Sequence, residues 1–310
     1  MKKVLITGAS GFVGQNCVPL LASKGYEVHA LCHRQPAEST SQGIRWHRAD
    51  LLKPGSAAKL MREIQPDSLL HLAWYAVPGK FWEAQENLEW VRASQELIVA
   101  LAEMGGKRLV VAGSCAEYDP KAGECVESST PILPDTLYGK SKHDLETNVD
   151  SIKRKTGLSS ASGRIFFLYG PKEHPSRVIA YVVRCLLQAE PALCSEGKQI
   201  LDFLHVEDVA SAFVALLESK VEGPVNIASG AATPLRAVLE EIGRQIGRPE
   251  LIRLGARKSE SEPVSYWANT RRLTKEVGWT PRYNLSSGIR QTIDWWRSSG
   301  VISTPAQQSR

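Results

Sequence analysis

The 310-residue chain predicts an α/β fold: a doubly wound, parallel Rossmann-type sheet with a second, smaller substrate-binding domain. Three observations carry that expectation. From residue 2 to about residue 167, short apolar runs alternate with amphipathic helical stretches, the pattern of successive βαβ units. The first run, Lys2-Lys3-Val4-Leu5-Ile6-Thr7, passes directly into Gly8-Ala9-Ser10-Gly11-Phe12-Val13-Gly14 and a helical stretch to about Lys24. After Gly170-Pro171 the regular alternation loosens.

The opening unit carries the strongest local chemistry. A strand, a glycine turn and a helix N-terminus together make an anion site. Two residues separate successive glycines here, in place of the Gly-x-Gly-x-x-Gly of long dehydrogenases. Gly8, Ser10, Gly11, Phe12, Val13 and Gly14 are therefore the candidate cradle for a dinucleotide pyrophosphate.

Residues 28–31 read as the second strand, followed by Cys32-His33-Arg34. An acid at that strand end would meet the ribose hydroxyls of NAD, and none stands there. The Arg34 guanidinium, with His33 beside it, suits a 2′-phosphate. This predicts a preference for NADPH (NADP), with NAD as the alternative. Asp50 and Leu51 follow a third strand and are placed against the adenine. Residues 68–73 form a fourth strand, and Leu72, Ala73 and Trp74 stand where a cofactor approaches its end. The following loop, residues 74–82, is crowded with aromatics that either stack on a ligand or pack beneath the second domain.

Residues 83–104 read as a long helix whose stripe of Leu88, Val91, Ile98, Leu101 and Ala102 serves either the core or a dimer. Residues 107–112 read as the next buried strand and residues 137–155 as a helix. That helix carries Tyr138 and Lys142, four apart and on one face. An ammonium beside a phenol favours the phenolate, which predicts a lowered pKa and proton exchange with an alcohol oxygen near neutral pH. Residues 159–168 read as a sixth strand. Helices are expected over residues 177–188, 235–246 and 285–297. The expected division is 1–170 for the dinucleotide-binding domain, with a return at about 202–227, and 171–201 with 228–310 for the substrate domain.

Composition excludes several classes. Charged residues make up 23 % of the chain and the net charge is +5, without a lysine or arginine block, so no nucleic acid is expected. No apolar stretch approaches the ~18 residues of a membrane span. The short amino-terminal run, broken by glycine, does not read as a signal peptide, so a cytoplasmic protein is expected. Six cysteines without Cys-x-x-Cys spacing read as reduced thiols. Seven histidines without a His-Glu pair predict no metal.

Together these pieces resemble the extended short-chain dehydrogenase/reductase family, in its nucleotide-sugar epimerase, dehydratase and reductase branch. The marks are Thr7 to Gly14, Asp50-Leu51, His71-Leu72-Ala73, Asn87, Ser114 and Tyr138-x-x-x-Lys142. They continue with Arg164 to Pro171, Asp202 to Ala210, and Gly278-Trp279-x-Pro281. The resemblance implies a catalytic triad of Ser114, Tyr138 and Lys142, with Tyr138 as general acid/base. Lys142 would tune it and hold the nicotinamide ribose, and Ser114 would bond the reacting oxygen. It also implies a homodimer.

The reaction is less specified. Dehydratases of the branch place Asp-Glu directly after the catalytic hydroxyl, whereas Cys115 and Ala116 stand there and Glu117 comes one place later. The leading expectation is NADPH-dependent reduction of a keto group, at C4, on a nucleotide-activated deoxy-sugar. The alternatives are 4-epimerisation, or an epimerase-reductase in which Cys115 and His174 move protons. Leu201 stands where the branch often has a diphosphate-binding arginine, which keeps a non-sugar aldehyde or ketone reductase open. Cys115, Glu117, His174, Arg177 and Arg257 are the candidate substrate contacts, with Lys258 a further candidate cation. A dinucleotide sensor without turnover usually lacks the tyrosine or the lysine, and both are present.

Overall fold

A computed structural model describes residues 2–33, 43–257 and 265–300. In chain order the strands are β1 Lys3–Thr7, β2 Glu27–Cys32, β3 Ile44–Arg48, β4 Ser68–His71, β5 Arg108–Ser114, β6 Gly123–Cys125, β7 Ser159–Ile165 and β8 Phe167–Tyr169. They continue as β9 Ala192–Leu193, β10 Ile200–Leu201, β11 Phe203–His205, β12 Gly223–Ile227, β13 Thr233–Pro234, β14 Ile252–Arg253 and β15 Ser265–Ala268. The α-helices are α1 Gly14–Ser23, α2 Ser56–Ile64, α3 Glu86–Glu103, α4 Leu137–Thr156, α5 Val178–Leu187, α6 Val206–Glu218, α7 Leu235–Ile246 and α8 Leu285–Ser298.

Among the described residues, seven strands form one parallel sheet in the order β12-β7-β5-β4-β1-β2-β3. Its central strands are apolar on both faces because helices cover both. Val4 and Ile6 turn towards α1 and α6, meeting Val18, Leu21 and Phe213. Leu5 turns the other way, into the layer of α2, α3 and α4 with Leu60, Leu97 and Leu145. This alternation is the strand period of two, read directly from Val4-Leu5-Ile6.

Two elements differ from the sequence reading. The expected helix over 83–104 is a short 3-10 turn, Phe81–Glu83, followed by α3. Asn87 forces the break: its buried Nδ2 donates to Phe81 O at 2.7 Å and Ala84 O at 2.9 Å. Ile98 and Leu101 of its stripe are core residues, while Leu88 remains exposed. The expected strand over 159–168 breaks at Phe166, where the Phe167 N–H donates to Asp202 O. The chain leaves the main sheet there, and β8 pairs with β11.

The smaller unit packs α5, α7 and α8 around Val183, Leu239, Ile242, Ile293 and Trp296. A four-stranded sheet, β13-β10-β15-β6, lies beside it. Such short strands lack enough residues to show a period and cannot be read from the sequence alone. The segment after β15 also rests on the helical layer of the main sheet: Leu273 and Trp279 join the α1 and α6 cluster, and Trp279 Nε1 donates to Ser211 Oγ at 2.9 Å.

Asp202 ties the two units together. Its buried carboxylate accepts from Ser229 N at 2.8 Å, Ser229 Oγ at 2.6 Å, Gly230 N at 2.9 Å and Ala268 N at 3.2 Å. Asp202→Ala strands these donors and is expected to cost about 3 kcal/mol, measured by denaturant unfolding. A midpoint equal to that of the parent would refute this assignment.

Candidate active site

The sheet order reverses at β1, with β2 and β3 on one side and β4, β5, β7 and β12 on the other. In such sheets the crevice at the strand carboxyl ends is the ligand site. Gly8 sits at that point with φ +66°, and a Cβ there would stand 2.8 Å from Ala73 N and 2.9 Å from Leu72 C. The turn after β1 and the end of β4 are thus in backbone contact. Gly14 is equally constrained, since its Cβ would lie 2.1 Å from Gly8 O. Ser10 and Gly11 are exposed at the rim, and Phe12 and Val13 are half-buried. The first turn of α1 has no side-chain cap, and its Gln15, Asn16 and Cys17 N–H groups donate to Gly11 O and Val13 O, so the glycine turn before it is what stands open to an anion. A cradle that a single methyl would fill, at the N-terminal end of α1, fits a pyrophosphate.

A hydrogen-bonded strut lies beneath this cradle. Ala73 N donates to Thr7 Oγ1 at 3.2 Å, Thr7 Oγ1 pairs with His71 Nδ1 at 2.7 Å, and His71 Nε2 pairs with Ser94 Oγ at 2.8 Å. Burial pushes the His71 imidazole down to about 3, so it is neutral and serves as a fixed link.

At the far end of the crevice, His33, Arg48, Asp50, Lys53 and Lys59 line a cleft of about 480 Å³. Asp50 Oδ1 accepts from Leu52 N at 3.1 Å, and the Leu51 side chain is in the core. Arg34, on which the NADPH expectation rests, lies outside the described residues.

Ser114, Tyr138 and Lys142, the expected reacting groups, lie at the other end. Ser114 closes β5, and its Oγ accepts from Ala116 N at 3.2 Å. α4 is capped by Thr136, whose Oγ1 accepts from Gly139 N at 3.1 Å. Gly139 allows α4 to press on the segment after Ser114, because its Cβ would lie 2.1 Å from Ala116 O. That contact brings the Tyr138 phenol to the side of the site where Ser114 lies, and the Ser114 hydroxyl favours its ionised form. Lys142 Nζ donates to Ala112 O at 2.9 Å and sits 3.7 Å from the Trp74 ring centre.

The electrostatics correct one expectation. The Tyr138 pKa stands above its usual value, not below it, because burial outweighs the Ser114 hydrogen bond. The Lys142 ammonium is held against Ala112 O and Trp74, 5.8 Å from the Tyr138 ring centre. Burial pushes Lys142 down to about 7, opposed by the Glu117 carboxylate.

The aromatic loop is a wall of this site. Phe81 and Trp82 meet the Tyr138 ring edge-on at 4.8 Å and 5.8 Å. Trp74 Nε1 donates to Asn87 Oδ1 at 2.8 Å, which fixes the indole under Lys142. The sequence placed aromatics here but gave no means of assigning Trp74 to Lys142.

The candidate substrate contacts separate. Cys115 is buried, with Sγ 3.6 Å from Tyr266 OH, and burial pushes its thiol up to about 12. It is a packed thiol rather than a ready proton acceptor. Glu117 is corrected outright: with 0 % exposure it faces inward, so it cannot touch a substrate. His174 is exposed, its Nδ1 2.8 Å from Ser176 Oγ. Arg177 is half-buried, with its Nε 3.9 Å from Glu173 Oε1. Arg257 is exposed on a loop beside Cys194, and Lys258 lies outside the described residues.

Beside Arg177, Glu173 is 6 % exposed with Oε2 unpartnered, and burial pushes its carboxyl up to about 8. An unfolded glutamate titrates at about 4.3. The folded state therefore holds a proton that the unfolded state has lost, and stability falls as pH rises from about 4.3 to about 8. Glu173→Gln should stabilise the protein at pH 8 by on the order of 2 kcal/mol and not at pH 4, read by denaturant melts. An equal effect at both pH values would refute the assignment.

Comparison with known proteins assigns the family. The model of the NAD dependent epimerase/dehydratase family matches residues 4–228, from β1 to just beyond β12. The chain belongs to the NAD-dependent epimerase/dehydratase family. It is thus an enzyme of the extended short-chain dehydrogenase/reductase type, with a nicotinamide dinucleotide cofactor. Among solved members, MoeE5 in complex with UDP-glucuronic acid and NAD is 30 % identical, with a TM-score of 0.83 over 96 % of this chain and 99 % of that one. UDP-glucuronic acid decarboxylase 1 of Xenopus tropicalis is 25 % identical over 96 % of this chain and 72 % of its own length. The UDP-N-acetylglucosamine 4-epimerase of Methanobrevibacter ruminantium M1 shares the fold, with a TM-score of 0.86 at 22 % identity over 96 % and 99 %. Among the described residues of this family member, no helix is long and apolar enough to cross a membrane.

Proposed function

We propose that the protein epimerises C4 of a UDP-linked sugar, with NAD bound in the β1/β4 crevice. The observation that supports this most is the convergence of Ser114, Tyr138 and Lys142 on one point at the crevice end. The likeness to MoeE5, in complex with UDP-glucuronic acid and NAD, supports the substrate class.

The chain's residues perform proton work at one oxygen. Tyr138 takes the C4 hydroxyl proton, and Ser114 donates a hydrogen bond to that oxygen as charge develops. The positive charge of Lys142 favours the phenolate that accepts the proton. When bound, the nicotinamide supplies hydride acceptance and return. Tyr138 then gives the proton back on the opposite configuration. Phe81, Trp74 and Trp82 keep water from the phenol. Gly8, Gly11, Gly14 and the α1 N-terminus would hold the pyrophosphate, and His33 and Asp50 the adenosine end. Arg177 would meet the substrate's negative charge.

Elimination of water needs a second acid beside the reacting hydroxyl. Cys115 is a buried thiol and Glu117 is turned inward, which leaves oxidation and reduction at C4. The test is incubation with UDP-glucose and UDP-glucuronic acid and trace NAD, with sugar configuration read by NMR. The 4-epimer should accumulate with no net NADH. Stoichiometric NADPH oxidation by 4-keto-6-deoxy sugars, without an epimer, would replace this reading with net C4 reduction. The protein is also proposed to be a homodimer in the cytoplasm, and sedimentation would show the mass of two chains.

A further inference from the structure

The far end of the crevice carries a hydrogen-bonded relay that the chemistry at C4 does not use. His29 on β2 and His47 on the edge strand β3 meet directly, Nδ1 to Nε2 at 2.8 Å, with ring planes 13° apart. His29 Nε2 stands 3.2 Å from Glu27 Oε1, and Arg45 Nη1 meets the same oxygen at 3.2 Å. The tautomers follow from this order. An ionised carboxylate only accepts, so His29 Nε2 carries a proton and Nδ1 of the neutral ring is bare. His47 then donates through Nε2, and its Nδ1 is the ring nitrogen of the pair left as a free acceptor. The relay has room for one added proton, because a second would set two N–H groups head to head across 2.8 Å.

His47 also lines the cleft of about 480 Å³ beside β3 and α2. Cations outnumber acids there: His33, Arg48, Lys53 and Lys59 stand against Asp50 and Glu63. Asp50 Oδ1 already accepts from Leu52 N, and Glu63 Oε1 is 3.9 Å from Lys59 Nζ. The charges acting on the histidine pair are Lys3 of β1, Glu27 of β2, Arg45 of β3 and Glu63 of α2, and Cys32 Sγ donates to His47 O at 3.5 Å. Burial holds both imidazoles below the usual histidine range, so the pair is neutral at pH 7 while the cleft is empty. The His29 hydrogen bond keeps the Glu27 carboxylate ionised below its usual range.

We propose that this cleft is a proton-linked oxyanion site, in which a phosphate or sulfate group binds beside Arg48, Lys53 and Lys59 and His47 takes up one proton from solvent at Nδ1. The only bond formed is N–H, and the new charge is steadied through His29 by the Glu27 carboxylate. A bound anion favours the imidazolium, so affinity rises as pH falls from the occupied to the empty midpoint of His47. A phosphate ester on the dinucleotide and a free anion share this chemistry. No sugar enters the experiment, so its outcome is independent of the reading at C4.

Sulfate is the probe, because it holds no titrating proton near neutral pH, with chloride keeping the ionic strength constant. The His47 ring nitrogens of 15N-labelled protein, assigned through bonds from the backbone, are titrated with and without sulfate. The midpoint is expected to rise by roughly one pH unit at saturation. Sulfate affinity should rise roughly fivefold from about pH 7.5 to about pH 5.5 in the parent, and less than about twofold in His47→Gln. Lys53→Gln with Lys59→Gln should weaken sulfate by roughly fivefold at both pH values. If His47→Gln does not fold, Glu27→Gln replaces it, and the gain on acidification should shrink because the relay then ends on a neutral group. NADP and NAD are compared in the same way. A preference for NADP that grows on acidification assigns the cleft to the 2′-phosphate, sulfate binding unchanged by saturating NADP assigns it to a free anion, and either result supports the linkage. A His47 midpoint unmoved by sulfate, or an equal gain on acidification in folded His47→Gln, overturns the proposal.

Discussion

Tyr138→Phe is expected to lower turnover by roughly a thousandfold, with dinucleotide affinity changed by less than about threefold. The substitution deletes one oxygen and leaves the ring between Phe81 and Trp82. It removes the group proposed to exchange the substrate proton, on the side of the site where Ser114 lies. No contact of the pyrophosphate cradle passes through that oxygen, since the cradle is built by Gly8, Gly14 and the first turn of α1. Unfolding free energy should stay within about 1 kcal/mol of the parent, because only one hydrogen bond is lost. The measurements are turnover with the sugar identified by NMR, NAD titration, and a denaturant melt. More than about a tenth of parental turnover in a folded variant would remove Tyr138 from the reaction.

Gly14→Ala should act in the opposite way, on binding and stability together. Helix propensity alone favours alanine over glycine by about 1 kcal/mol. Packing decides the sign here. The added Cβ would lie 2.1 Å from Gly8 O and 2.8 Å from Ala9 Cα, and neither backbone atom can rotate away. α1 must therefore lift from the turn after β1, which opens the cradle. The expected cost is about 3 kcal/mol of stability and a roughly hundredfold loss of NAD affinity. Gly25→Ala is the control. Its φ is +80° but nothing stands within 4 Å of the added Cβ, so it should cost about 1 kcal/mol and leave NAD binding intact. Parental NAD affinity in Gly14→Ala would show that this turn does not carry the cofactor.

Together the two substitutions divide the crevice into an end that binds and an end that reacts. Trp74 and Asn87 join those ends, since the indole that follows β4 lies under Lys142 and is anchored to the first turn of α3. Thr7, His71 and Ser94 make a second link between the strand ends and α3.

The sequence by itself determined the parallel sheet, the glycine cradle and the Tyr138–Lys142 pair. Each of these is local: an apolar run beside glycines, or two residues at helical spacing, carries its meaning within about a dozen neighbours. Ser114 was legible through its place at the end of a buried strand and through the family pattern. The direction of the Tyr138 shift was not legible, because spacing reports that an amine is near and is silent on how deeply the phenol is buried. Glu117 was misread for the same reason: next to the reacting serine in sequence, it is turned inward by a partner 47 positions away. The Trp74–Lys142 stack, the break at Phe166 and the clamp at Asp202 depend on contacts between segments far apart in the chain. Sequence fixes what each residue is able to do, and tertiary packing decides which partners it meets and how much water remains to screen its charge.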